Sequence, residues 1–468
     1  MKSRMVSYQL LKYHFRSAVN AFGDLEVQPV RGDSHEYSTR NRLRLDLPYC
    51  RLGRTQFSVV YLPGKIINKL PISVRSLPVA ALKRRLKHFL QENPFYSLNE
   101  FFECDSALLA LIQTNHVIKK LEDLYSTKKF EIVTMMTIGD QILDKPLPKI
   151  GEKSLFTKEL ETALELGTVD FLVHSLKDMP TDLPEGMVIG AVLEREDPRD
   201  VVIMNSKMKG KTLKTLPKGS VVGTSSLRRT AQLQRNYPEL EVKNIRGNLN
   251  TRLRKLDEDN QYDAIVLAKA GVDRMGWTEK ISQVLDTDDM MYAVGQGALA
   301  VECRGHDSAT LVMLDAISDK STVARIVAER SFLNRLGGGC SAPVAVCSHI
   351  TTAPAQQVPA TAHAQTAPPT TLALSGAVWS LDGRQTVKHS SSCALQSDSN
   401  VDDDDDEPPR KCQHKEQRLY CGLSTRSLSP EDLVAAEKVG CDLALILIKQ
   451  GALEIMNKAK KTIHSSIE

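Results

Sequence analysis

Val169-Asp170-Phe171-Leu172-Val173-His174-Ser175-Leu176-Lys177-Asp178-Met179-Pro180 opens on an apolar run and passes into a short polar loop that Pro180 closes. Residues 169–173 read as a mostly buried strand. Upstream, residues 155–166 place Phe156, Leu160 and Leu164 on one helical face and stop at Gly167. Downstream the rhythm repeats. Residues 219–223 read as a strand and 227–235 as a helix. Residues 240–245 are a strand, 249–256 a helix with Leu249, Leu253 and Leu256 inward, and 264–267 a strand again. A further strand is expected at 130–135. This alternation predicts an α/β fold with mainly parallel sheets. Two such sheets facing each other across a cleft fit residues 108–318. Open α/β sheets bind ligands beyond the carboxyl ends of their strands, so the loops leaving these strands are where chemistry is expected.

The flanks differ in character. Residues 1–105 are irregular and show no strand–helix alternation. The first hundred residues hold 17 Lys and Arg against 7 Asp and Glu, so the whole excess behind the net charge of +4 sits there. Such a segment would suit a nucleic-acid arm, but its charges are dispersed and no aromatic pattern accompanies them. An atypical extension is the plainer reading. Residues 319–468 read as a third, smaller α/β unit. Residues 323–336 are helical, and 433–453 supply a closing helix pair. A Pro/Thr/Ala/Gln tract at 351–371 and an acidic run at 402–407 interrupt this unit with compositions that cannot build a core. Nine cysteines, with no CxxC pair and no zinc spacing, point to free thiols in a reducing compartment. No apolar run is long enough to span a membrane. The first twenty residues lack acids, as a mitochondrial presequence would, but Asp24 and Glu26 soon follow; the cytoplasm is the expectation.

Four strand-exit loops share a theme. In His174–Ser175–Leu176–Lys177–Asp178 an aspartate stands where a general acid or an electrostatic stabiliser would, or where it simply caps a turn. Gly223-Thr224-Ser225-Ser226-Leu227-Arg228-Arg229 puts capping residues and two arginines at a helix start. The free N–H groups there attract anions, whereas arginines oppose the helix dipole unless an anion lies between them. Ile245-Arg246-Gly247-Asn248 leads into a helix bearing Arg252 and Arg254, and Arg274 precedes Met275-Gly276-Trp277. Guanidinium forks gathered at one end of a sheet suit nucleic acid or a small ligand with several carboxylates. Finally, Leu336-Gly337-Gly338-Gly339-Cys340-Ser341-Ala342-Pro343 presents a cysteine on a glycine-rich loop. That setting favours reactivity. No histidine accompanies it in sequence to make a cysteine peptidase.

Together and in this order the loops resemble the porphobilinogen deaminase (hydroxymethylbilane synthase) family, from about Leu109 to the C-terminus. Its further markers are Lys149-Ile150-Gly151-Glu152-Lys153-Ser154-Leu155-Phe156 and Tyr292-Ala293-Val294-Gly295-Gln296-Gly297-Ala298. Residues 351–372 and 394–415 match poorly and look like insertions. The resemblance implies three α/β domains, the first two periplasmic-binding-protein-like. These would span 106–195 plus 295–318, then 196–294, then 319–468, after a basic extension at 1–105. It implies a transferase that condenses four porphobilinogen molecules head to tail into a linear tetrapyrrole, in heme and porphyrin biosynthesis. The primer would be a dipyrromethane cofactor bound to Cys340 by a thioether. The family's catalytic aspartate falls on Asp178. Its cofactor-binding residues fall on Lys153, Ser154, Ser175, Lys177, Asp178, Thr224, Ser225, Arg228, Arg229, Arg246, Arg252, Arg274 and Gln296, with no metal. The implied partner is the small-molecule substrate porphobilinogen, with no nucleic acid and no membrane, and the chain would be a monomer.

Charge agrees with this resemblance, because a growing chain of acetate- and propionate-bearing rings is a polyanion. Two other classes stay open on sequence: a binding protein or sensor with the same cleft and no chemistry, and a nucleic-acid binder. One departure bears on activity. The family opens with a strand ending in Gly-Thr-Arg-Lys-Ser-Gln-Leu-Ala, and this chain has Glu103-Cys104-Asp105-Ser106-Ala107-Leu108-Leu109-Ala110 there. Asp105 stands at the arginine position, so residues 1–105 are expected not to rebuild the first strand and the enzyme is expected to be impaired. The acidic insertion is expected to be dispensable. Deleting residues 401–413 should leave steady-state turnover unchanged, and a large loss without unfolding would reveal a functional loop.

Overall fold

A strand that enters a sheet after the chain has crossed from another sheet runs against the strands that end at that crossing. The computed structural model describes residues 105–133, 158–258, 261–337, 343–352, 370–396 and 418–465. Residues from Leu108 onward form one compact unit. β1 (Phe171–Ser175) ends at the quoted loop. Its neighbour β8 (Leu299–Arg304) begins at that same end, pairing Leu299 with Ser175, and lies between β1 and β2 (Met187–Val192). Both pairings of β8 are antiparallel. α1 (Asp105–Leu124) covers this sheet by placing Val117 and Leu121 against Val188, Ala191, Leu299 and Val301. Both side chains are fully buried, each contributing roughly 1.5–3 kcal/mol. α2 (Lys158–Glu165) adds Leu164 over Leu172 and Met187, and Gly167 ends it at φ +67°.

The second sheet has the order β5-β4-β6-β3-β7, formed by β3 (Asp200–Met204), β4 (Val221–Gly223), β5 (Glu241–Lys243), β6 (Ala264–Ala268) and β7 (Gln283–Val284). Side chains alternate across it. Val202 and Met204 join one core with Val222, Leu233 and Val266. Val201 and Ile203 join the opposite core with Ile245, Leu253, Leu256 and Leu267. α3 (Leu227–Asn236), α4 (Leu249–Glu258) and α5 (Lys269–Arg274) connect the strands. The third sheet is the antiparallel β9 (Val344–Thr352), β10 (Thr370–Trp379) and β11 (Thr386–Leu395). α6 (Ser308–Asp315) and α7 (Lys320–Arg335) precede it, and α8 (Pro430–Lys449) and α9 (Ala452–Ser465) follow it. α8 starts on a Ser429 cap with Pro430 in the first turn. It crosses α7 closely at Gly440, where a Cβ would run into the Ala328 carbonyl.

The mixed α/β class is as expected, but the sheets are not mainly parallel. Among the described residues parallel pairing is confined to β4 with β5 and β6 and to an isolated bridge between Ile189 of β2 and Leu423. β3 and β8 each enter a sheet after the chain has crossed the cleft, so they run opposite to strands that end there; the sequence rhythm marks strands but not their entry point. Residues 130–133 are not a strand, although Phe130 stacks edge-on against Phe171 at 6.3 Å. The Pro/Thr tract begins and ends in strand, at Thr352 and Thr370; its middle and the acidic run lie outside the described residues, as does the first strand sought in residues 1–104. No described helix is long and apolar enough to cross a membrane.

Candidate active site

Asp178 ends a 3₁₀ turn, Leu176–Asp178, that leaves β1 directly. Leu176 and Met179 are buried and pin the turn, while Asp178 is exposed between them. Gly295 packs on Leu176 at φ +73°, where any side chain would collide with it. Behind the turn, Gln113 of α1 donates from Nε2 to Ser175 Oγ at 2.9 Å. Lys177 feels Asp178 most strongly, which favours its ammonium; burial together with Arg229 and Arg252 outweighs this and leaves its pKa below the ordinary lysine value.

The second sheet brings the other loops to the same place. Ser226 caps α3, Thr224 Oγ1 accepts from Ser226 N at 3.2 Å, and Ser225 Oγ donates to the Ile245 carbonyl, joining two strand-exit loops. Asn248 Oδ1 accepts from Thr251 N at 2.8 Å and starts α4. Gly247, at φ +111°, lies so close to Thr251 that a Cβ would not fit. Arg252 donates from Nε to the Gly247 carbonyl at 2.8 Å. Burial, then Arg229 and Arg246, bring its pKa down to about 10, against the pull of Asp178. Burial likewise lowers Arg246. Lys177, Arg229, Arg246, Arg252 and Asp178 therefore form one electrostatic cluster in which cations outnumber the carboxylate.

Arg228 and Arg229 point elsewhere than the sequence suggested. The carboxylate they hold is the chain's own Asp200. Arg228 Nη1 donates to Asp200 Oδ2 at 2.7 Å and Arg229 Nη2 to Oδ1 at 2.8 Å. Gln296 Nε2 reaches the same Oδ1 at 2.8 Å, and its Oε1 accepts from Arg228 Nη2 at 3.3 Å. Arg229 keeps one donor spare: its Nε is buried with no partner. Arg274 is also engaged internally, from Nε to Glu196 Oε1 at 3.0 Å and from Nη2 to the Gly297 carbonyl at 2.8 Å.

Sequence profiles place this geometry. The one described as porphobilinogen deaminase, dipyromethane cofactor binding domain, matches residues 105–312, and the porphobilinogen deaminase C-terminal domain matches residues 323–402. A porphobilinogen deaminase of Synechococcus elongatus is 48% identical over 280 residues, 60% of this chain and 82% of its own length. The chain belongs to the porphobilinogen deaminase family. A relative of the same name from a Nostoc species is 41% identical over 349 residues, covering 75% of this chain and 91% of its own. Another from Gloeobacter violaceus is 53% identical over 243 residues, 52% and 74% of the two chains. Among solved structures, a probable amino-acid ABC transporter extracellular-binding protein from Bacillus subtilis overlays at a TM-score of 0.27 and 15% identity, over 44% of this chain and 79% of its own. That likeness carries no weight here.

The family's cofactor is a dipyrromethane, and the donor set suits it. Its carboxylates would relieve the mutual repulsion of Lys177, Arg229, Arg246 and Arg252 and give Arg229 Nε an acceptor. Lys153, Ser154 and Cys340 lie outside the described residues. Sequence reading missed the charged pairs that tie the crossings together. Arg195 forks onto Glu329 at 2.6 and 3.1 Å, lies 4.9 Å over the Tyr292 ring and donates to the Gln296 carbonyl. Glu329 also accepts from Gly295 N at 2.9 Å. The run Arg195-Glu196-Asp197-Pro198-Arg199-Asp200 was the available signal, a cluster of mixed charges beside an apolar strand.

Proposed function

We propose that the chain condenses porphobilinogen units into a linear tetrapyrrole, with Asp178 as the catalytic carboxylate and Cys340 as the attachment point of the dipyrromethane. The observation that carries this reading is the cluster around Asp178. Lys177 and Arg252, both lowered by burial and by Arg229, lie within electrostatic reach of the exposed Asp178 carboxylate at a strand-exit loop, with Arg246 acting on Arg252. When bound, the dipyrromethane would supply the terminal ring carbon to which the first unit joins, each later unit joining the ring added before it. Lys177, Arg229, Arg246 and Arg252 meet acetate and propionate arms and orient the rings. Loss of ammonia makes the incoming ring cationic, and Asp178 holds a fixed negative charge beside it. Thr224 and Ser225 shape the loop that faces the rings. Arg228, Arg274 and Gln296 act one layer back, where they hold the crossings between the first two sheets. The separate sheets support the division into 106–195 plus 295–318, 196–294 and 319–468, with the chain working as a monomer in the cytoplasm. Growth by four units calls for movement at the crossings near 195–200 and 292–299.

Intact mass and an aldehyde colour test for pyrroles on the purified chain decide the reading. A mass excess of two pyrrole units, absent from Cys340→Ser, together with turnover of porphobilinogen, is expected. Turnover by a chain of unmodified mass overturns the role of Cys340. A chimera with a family-like first strand in place of residues 1–108 should turn over faster, and equal rates would overturn the expected impairment.

A further inference from the structure

Arg330, midway along α7, takes no part in the chemistry above, yet it is the largest fully buried side chain among the described residues, at 1% exposure. Its guanidinium meets no carboxylate at ion-pair distance among the described residues. Nη2 donates to the carbonyls of Pro180 at 2.8 Å and Thr181 at 3.2 Å, and Nε donates to the carbonyl of Cys421 at 3.1 Å. Burial lowers its pKa to about 10, against the weaker pull of Cys421, Asp182 and Glu302. A buried cation held only by carbonyls is costly, and an apolar side chain of similar volume would fill the space at less cost. What the arginine adds is direction, because a rigid fork fixes the backbone atoms it grips.

Two of those three atoms, the Pro180 and Thr181 carbonyls, belong to the loop of Asp178. Pro180 is two residues beyond it, and one turn along α7 Asn334 Nδ2 donates to Asp182 Oδ1 at 2.9 Å. The same helix ends at Arg335, with Leu336 as its cap, five residues before Cys340 in the sequence. One rigid element thus grips the Asp178 loop near its middle, and in the sequence it precedes the glycine-rich segment that carries the attachment cysteine. The third strand of contact, residues 420–424, is itself tied to β2 through Ile189 N donating to the Gly422 carbonyl at 2.8 Å.

We propose that Arg330 is a positioning residue that keeps the Asp178 loop in register with α7, so that the carboxylate and the tethered chain stay aligned as units are added. This rests on the assignment of Asp178 and Cys340 above. Arg330→Lys retains charge but not the fork, and Arg330→Met removes both. Each variant should load two pyrrole units by intact mass. Its kcat should fall by up to about 100-fold, as for a misplacement near 1 Å, with KM little changed. After limiting substrate, mass spectra should show partly elongated species accumulating where the parent chain shows few. Arg330→Lys should be less impaired than Arg330→Met. Loaded variants with parental kcat and no accumulated species overturn the proposal. If the Arg330 variants do not fold, Asn334→Ala decides, since it removes the second tie at an exposed bond. A lowered kcat at unchanged melting temperature supports the coupling, and a parental kcat overturns it. An active Arg330→Met beside an inactive Asp178→Asn sinks this proposal alone, whereas an active Asp178→Asn sinks the catalytic assignment beneath it.

Discussion

Asp178→Asn is expected to fold like the parent chain and to lose turnover by roughly 100-fold or more, the usual effect of removing a main electrostatic stabiliser. The fold should survive because the turn is anchored by Leu176 and Met179, which are buried, while Asp178 is exposed. The amide keeps size and loses charge. Asp178 is the strongest influence on Lys177 and the charge that favours the Arg252 guanidinium. Without it the cluster becomes more strongly cationic. Binding of a polyanion should then hold or tighten while the step that creates positive charge slows. The signature is therefore a low kcat with KM unchanged or reduced, at a parental melting temperature. Near-parental turnover would remove Asp178 from the mechanism.

The sequence made the site loops legible because each follows a short apolar strand with local punctuation. Gly167, Gly247 and Asn248 do what their residue types suggest, closing α2, permitting a tight approach and capping α4. Helices with clear apolar spacing, such as α4 and α7, lie within a few residues of the expected bounds. Strand direction was not legible, because period-two patterning is the same whichever end a strand enters from. β2 and β3 were missed for a related reason. Val188–Ile189 and Val201–Val202 belong to strands buried on both faces, so they show no alternation. At the site, clustering of arginines was visible, but their partners were not. Asp200 is 28 residues from Arg228 and Glu329 is 134 from Arg195. Only the folded chain tells a guanidinium that awaits a ligand from one that already holds the protein's own carboxylate.

Asp200→Asn is the sharpest test of that distinction. Asp200 is fully buried at the start of β3, immediately after the chain has crossed from the first sheet. Burial alone would push its carboxyl up, but Arg228 and Arg229 more than reverse this and hold it far below the ordinary carboxylate range. The two arginines come from α3, and the third donor, Gln296, comes from the return crossing. One carboxylate therefore pairs with two buried cations and locks both crossings. The asparagine fits the space but leaves both guanidiniums without a counter-charge, so the variant should lose about 3–5 kcal/mol at neutral pH. The sign of the pH dependence follows from the depressed folded pKa. The stabilisation by Asp200 is present above the unfolded-state value of about 3.9. It is lost as pH falls from there toward the lower folded value. The deficit of the variant should thus be full at pH 7 and shrink below about pH 4, where the parent chain begins to lose the same contribution. Denaturant unfolding of both chains at neutral and acid pH measures this directly. Equal midpoints at pH 7 would show that the Arg228–Asp200–Arg229 lock does not hold the crossings, and would return Arg228 to the ligand-binding set beside Arg229.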